Sequence, residues 1–177
     1  IVEYNKKFVE NKGYEPYLTS KYPNKKLAVL TCMDTRLTEL LPAALGIKNG
    51  DAKIIKNAGG VIVHPYGSVV RSLLVGILEL GVEEVMVIGH TDCGVQGMDG
   101  NEMLEKLVER GIDQQHIDIV RHSGIDLERW LGGFESVESS VHETVRRLKE
   151  HPLMPKNVRI SGFIMDSATG ELTRVEE

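Results

Sequence analysis

A short apolar run, Leu27-Ala28-Val29-Leu30-Thr31, ends directly on Cys32, and this feature most constrains the fold. A run of this length without apolar/polar alternation reads as a strand buried on both faces, as in a parallel sheet. Residues 52–56 and 84–89 read as further strands, and His90 follows the second of these immediately. Residues 158–164 give a fourth strand. A turn at 166–170 then leads into a short last strand, 172–175, antiparallel to the fourth.

Helical spacing fills the intervals. Residues 2–13 suggest a modest N-terminal helix, and 14–26, with Pro16 and Pro23, an extended connector. The spacing predicts a helix over 37–45, with Pro42 near its start and Gly46 after its end. A long apolar helix is expected from a Ser68 cap to a stop at Gly81, and further helices over 102–110 and 136–150. Strands alternating with helices imply an α/β fold: a mainly parallel central sheet flanked by helices, with an antiparallel C-terminal edge strand. The 177 residues suit one domain, 1–177, with 1–26 as arm and connector.

Chemistry concentrates at two strand ends. Cys32-Met33-Asp34-Thr35-Arg36 follows the first strand and His90-Thr91-Asp92-Cys93-Gly94 the third; together they use both cysteines in the chain. Open α/β sheets hold ligands at the carboxyl ends of their strands, so residues distant in sequence can meet there. Two thiolates and an imidazole supply three ligands for a tetrahedral zinc ion and keep a fourth position open, the pattern of a catalytic site. Cys32, His90 and Cys93 are therefore the candidate metal ligands. Asp34, with Arg36 two residues on, offers a carboxylate held ionised by a bidentate guanidinium. Ala58, Gly59 and Gly60, after Lys56-Asn57, are candidates for a pocket where backbone approaches the metal, and Val61-Ile62-Val63 for its wall.

These segments resemble the three signatures of the β-class carbonic anhydrases, in wording closest to the shorter, archaeal-type branch. The resemblance runs from about residue 27 to 94 and continues weakly to the C-terminal hairpin. It implies zinc on Cys32, His90 and Cys93, an Asp34–Arg36 catalytic dyad, and a carbonate dehydratase hydrating carbon dioxide to bicarbonate and a proton. It also implies a homodimer, or a multiple of dimers, with active sites at the interface and residues 1–13 as an arm across the partner. Hydrolysis of carbonyl sulfide or carbon disulfide on the same site is an alternative. A structural zinc or interaction protein is another, which the Asp34–Arg36 pair argues against.

The remaining features carry less chemistry. A net charge of −5 with no basic block argues against nucleic acid. No apolar run approaches the roughly 20 residues of a membrane span. Charges throughout the first 25 residues exclude a secretory signal, and reduced thiols fit a cytoplasmic setting. Asp92 is expected to bond amides of its own turn, His64 to be a solvated loop residue, and His116, His122, His142 and His151 to lie at the surface. Trp130, Leu131 and Phe134 suggest a packed loop anchor or a subunit contact.

Overall fold

A computed structural model describes residues 1–175. Its centre is a five-stranded sheet of β1 (Leu27–Cys32), β2 (Ala52–Asn57), β3 (Glu84–His90), β4 (Arg159–Met165) and β5 (Leu172–Arg174), in the order β2-β1-β3-β4-β5. The first four strands run parallel, and β5 lies antiparallel on the β4 edge. All six residues of β1 are buried, as its apolar run requires. β2, at the opposite edge, leaves Ile54 exposed.

The chain order explains where the site falls. From β1 the chain steps to β2 on one side, through α2 (Leu37–Ala44), then returns past β1 to β3 through α3 (Ser68–Leu80). Right-handed crossovers in opposite directions put α2 and α3 on opposite faces of the sheet. The cores agree. Leu37 and Leu41 of α2 pack with Leu27, Val29, Ile88 and Met165 on one face. Val70 and Leu73 of α3, with Val141, Val145 and Leu148 of α7 (Val137–Glu150), pack on Ala28, Leu30, Val85 and Val87 on the other. The reversal leaves a crevice beyond the carboxyl ends of β1 and β3, the switch point where such sheets bind ligands.

Several local expectations need correction. Ser68 is the first helical residue of α3, the cap position is Gly67, and no side-chain cap bond forms. Gly81 does terminate α3, in the left-handed conformation at φ 75°. Pro42 lies inside α2 near its end, where its missing N–H removes one intrahelical bond; the helix stops two residues later, and the Pro42 carbonyl accepts from Ile47 N–H at 2.8 Å. Between α4 (Gly100–Glu109) and α7 stand two unexpected helices, α5 (Gln114–His122) and α6 (Leu127–Leu131). They form a small core of their own, Leu104, Ile117 and Leu127 with Leu131 against it, too sparse to give an apolar period. Their aspartate caps, Asp113 and Asp126, were the legible signal. The N-terminal helix α1 (Val2–Glu10) buries no residue.

Gly89, one residue before His90, lets α7 approach the sheet. A Cβ there would lie 2.7 Å from both Val137 Cγ1 and Val141 Cγ2. Gly89→Ala is expected to lower unfolding free energy by about 1–3 kcal/mol through overpacking, read from the urea midpoint at unchanged slope.

Candidate metal centre and its surroundings

β1 and β3 deliver the two halves of the site side by side. Their parallel register places Thr31 opposite Ile88, and the buried Thr31 hydroxyl donates to the Ile88 carbonyl at 2.8 Å. Cys32 closes β1, while His90 closes β3 in register with Met165 of β4. Thr91 N–H then donates to the Met165 carbonyl at 3.0 Å, and a tight turn through Asp92, at φ 54°, brings back Cys93. The left-handed conformation suits aspartate better than most residues. Cys32 Sγ and Cys93 Sγ lie 3.9 Å apart, and the ligand atoms of Cys32, His90 and Cys93 all fall within 4.8 Å of one another.

This arrangement fits a metal ion on two observations. Tetrahedral zinc with Zn–S bonds of about 2.3 Å holds two thiolates roughly 3.8 Å apart, close to the separation seen. The second is His90, whose side chain is wholly buried. Its Nδ1 lies 2.8 Å from the Thr91 carbonyl, which can only accept, so Nδ1 carries the proton. Nε2 is then a bare lone pair, buried and without a hydrogen-bond partner, beside two sulfurs. An orphaned buried acceptor is costly unless something electropositive meets it, and fixing the tautomer through Nδ1 is the usual way a ligating histidine is oriented. Burial, and the neighbouring Cys32, push the Cys93 thiol above its ordinary value. A bound cation would reverse that.

Asp34 stands beside this cluster, Oδ2 3.8 Å from His90 Nε2. Arg36 holds it through three bonds: main-chain N–H to Oδ1 at 2.9 Å, Nε to Oδ1 at 3.1 Å, and Nη2 to Oδ2 at 2.8 Å. The Arg36 side chain and then its main-chain N–H keep the Asp34 carboxyl well below the usual carboxylate range. Asp34, and after it Asp92, hold the Arg36 guanidinium protonated beyond an ordinary arginine. Asp92 does not bond its own turn. Its Oδ2 accepts from Arg36 Nη1 at 2.8 Å and its carbonyl from Nη2 at 2.7 Å. No sequence pattern pointed to that contact, because it depends on two loops converging.

An open cavity of about 1760 Å³ adjoins the cluster, lined by residues 32–36, Ala58 and residues 61–65 among others. Of the three pocket candidates, only Ala58 faces it. Gly59 and Gly60 are buried behind, both at positive φ, where a Cβ on Gly60 would sit 3.0 Å from Cys32 N. Gly60 allows close approach to β1, whereas a Cβ on Gly59 would meet Phe134 Cε1 at 3.0 Å and Val95 Cγ1 at 3.3 Å. Phe134 packs beside Val95 in the core under the cysteines and is the anchor of its loop, whereas Trp130 is exposed at the cavity. His64 is an exposed residue of the cavity wall, and His116, His122 and His142 are exposed as expected. His151 is not at the surface. It is buried, with Nε2 2.9 Å from the Pro65 carbonyl and Nδ1 accepting from Leu153 N–H at 3.2 Å. With Arg147 Nη1 donating to the Ile62 carbonyl at 2.6 Å, it fastens the wall to the end of α7.

An open α/β sheet with a Cys–His–Cys cluster at its switch point and an Asp–Arg pair beside it is the arrangement of an enzyme able to hold a metal ion. The sequence profile of the carbonic anhydrase family matches residues 27–172, and the chain belongs to that family, in its β class. It is 53% identical to YvdA of Bacillus subtilis, a protein whose name places it among the carbonic anhydrases, over 97% of this chain and 87% of the relative. It is 32% identical to a carbon disulfide hydrolase of Acidithiobacillus thiooxidans, over 84% of this chain and 76% of that protein. The structure of β-carbonic anhydrase isoform I of Trichomonas vaginalis superposes with a TM-score of 0.87 at 34% identity, covering 98% of this chain and 94% of that one.

Arg36→Ala should return the Asp34 carboxyl upward toward its ordinary value near 3.8, as read by carbon NMR of the carboxyl through an acid titration. Because the folded value is depressed, the pair's stabilisation is present above that ordinary value and lost as the pH falls through the folded one. The variant should therefore lack this part of the wild-type acid sensitivity.

Proposed function

We propose that this protein catalyses the reversible hydration of carbon dioxide to bicarbonate and a proton, with Cys32, His90 and Cys93 holding zinc and Asp34 and Arg36 serving the reaction. The observation that carries the reading is the buried, unpartnered His90 Nε2 between two thiols and an arginine-held carboxylate. Bound there, zinc supplies the Lewis acidity that makes water a nucleophile near neutral or alkaline pH.

The chain's own residues orient the reaction. Thr91 fixes the His90 ring through its carbonyl, and the Thr91 hydroxyl accepts from Ser167 N–H at 3.0 Å, which ties that loop to the β4–β5 turn. Arg36 occupies Asp34 Oδ1 twice and Oδ2 once, so a lone pair of Oδ2 remains on the side of His90. So strongly ionised a carboxylate keeps a proton poorly. Its part is to accept a hydrogen bond from the attacking water and aim the opposite lone pair at the substrate carbon, while the released proton leaves to solvent. Oxygen-bearing carbon dioxide and its sulfur analogues share a linear shape, so the ligand set cannot choose among them.

The test is a carbon dioxide hydration assay with zinc content measured on the same sample, and carbon disulfide hydrolysis run in parallel. The expected result is about one zinc per chain, hydration that outpaces hydrolysis, and loss of both metal and activity in Cys32→Ser and Cys93→Ser. Asp34→Ala should keep its zinc and lose at least about tenfold in kcat/KM. Full zinc occupancy in both serine variants would sink the ligand assignment, and carbon disulfide turnover without hydration would replace the substrate.

The finer family placement belongs to the same reading. The wording of residues 32–36 and 90–94 supports the shorter, archaeal-type branch, and one domain over 1–177 with 1–26 as arm and connector is the simplest organisation. Among the described residues no helix is long and apolar enough to cross a membrane, and two free cysteines suit a cytoplasmic setting. A homodimer is supported by surface that one copy leaves uncovered: Val2, Tyr4 and Val9 on α1, Leu78 on α3 and Ile54 on β2. So short a helix without buried contacts is not stable alone. Light scattering should give a dimer or a multiple of one, and deleting residues 1–13 should weaken association; a deletion variant of unchanged mass and activity removes the arm from the account.

A further inference from the structure

Arg36 carries more contacts than its partnership with Asp34 requires. A guanidinium has five N–H donors in a fixed plane. Asp34 takes Nε and one donor of Nη2, while Asp92 takes Nη1 with its carboxylate and the second Nη2 donor with its main-chain carbonyl. The two acidic residues differ in what they connect. Asp34 and Arg36 sit on the same turn after β1, so their bonds stiffen that loop alone. Asp92 lies on the turn after β3, between His90 and Cys93. Its contacts with Arg36 lock one ligand-bearing loop to the other on the solvent side of the cluster. The 3.8 Å between Asp34 Oδ2 and His90 Nε2 depends on how those loops stand relative to each other.

We propose that Asp92 is a positioning residue: through Arg36 it fixes the place of the Asp34 carboxylate relative to the metal ligands. The inference rests on the assignment of Asp34 and Arg36 to the reaction. Two properties of Asp92 serve this role together. Its φ of 54° turns the carbonyl toward Nη2, a conformation that few side chains tolerate. Its carboxylate is short enough to reach Nη1 from the same residue. The carboxylate is largely exposed, 85% by side-chain area, and an ion pair so wet contributes little to stability. Its effect should appear in geometry and rate, where small misplacements are expensive.

The substitutions Asp92→Gly and Asp92→Asn separate these demands. Glycine keeps the left-handed backbone and deletes the carboxylate; asparagine keeps both the backbone preference and an oxygen acceptor for Nη1. The expected result for Asp92→Gly is full zinc content, KM within about twofold of wild type, and kcat lowered about tenfold or more. Asp92→Asn should recover to within about threefold of wild type. Nitrogen NMR of the zinc-free proteins gives a readout that does not involve turnover. The Arg36 Nη protons should be held and resolved in the wild type and averaged by rotation in Asp92→Gly.

An Asp92→Gly enzyme with wild-type kcat overturns the proposal, whatever its spectrum. So does a slow Asp92→Gly whose Arg36 protons stay as restrained as in the wild type, and so does an Asp92→Asn as slow as the glycine variant. Asp34→Ala in the same assay keeps the two readings apart. If Asp34→Ala is slow and Asp92→Gly is normal, only the role of Asp92 falls. If Asp34→Ala runs at wild-type rate, the dyad falls and Asp92 with it.

Discussion

The parallel pairing of β1 with β3 is the constraint on which the rest of the molecule depends. One register aligns Thr31 with Ile88 and places Cys32 and His90 at adjacent strand ends. Every contact of the candidate centre inherits its distances from that alignment. A parallel pair cannot be joined by a tight turn, so each strand must be reached through a helix, and those helices seal both faces of the sheet. The Thr31 hydroxyl bond to the Ile88 carbonyl adds a buried polar tie just before the site. The crevice at the strand ends is therefore the only part of β1 where chemistry can meet solvent.

Charge follows from this placement. Two sulfurs and a bare imidazole nitrogen are packed where an unpaired polar atom is costly, and an ion that meets all three removes the cost. The Asp34–Arg36–Asp92 chain lies just outside, half in solvent, where its net charge is easily borne. The two zones divide the labour. The buried one brings together three groups that could hold a metal ion, and the wetter one fixes a carboxylate beside it.

How much of this could be read from the sequence depended on whether the signal was local. The run ending on Cys32 is local, and so are the His90-x-x-Cys93 spacing and the Asp34–Arg36 pair; the mainly parallel sheet and the placement of the site at its strand ends followed from them, whereas the strand order did not. Gly81 stopped α3 for the local reason that it adopts φ 75°. The misreadings have a common cause. Asp92 turned away from its own turn because Arg36 arrives from another loop, and His151 is buried because residues 61–66 fold over the end of α7. Gly60 abuts β1, and Gly59 abuts the side chains of Phe134 and Val95, which depends on what lies behind them. α5 and α6 escaped notice because each buries a single residue, Ile117 and Leu127.

His90 is in register with Met165, and Thr91 is hydrogen bonded to both Met165 and Ser167. The β3 side of the centre is thus completed by residues synthesised some 75 positions later than its ligands. On the ribosome, β1 and β3 emerge first and must wait for β4 before the His90 ring acquires its final support. Both thiols spend that interval in a nascent chain without a finished cavity around them. The order of synthesis would make loading of any metal ion there a late event, and it leaves the cysteines open to oxidants until the last strands arrive.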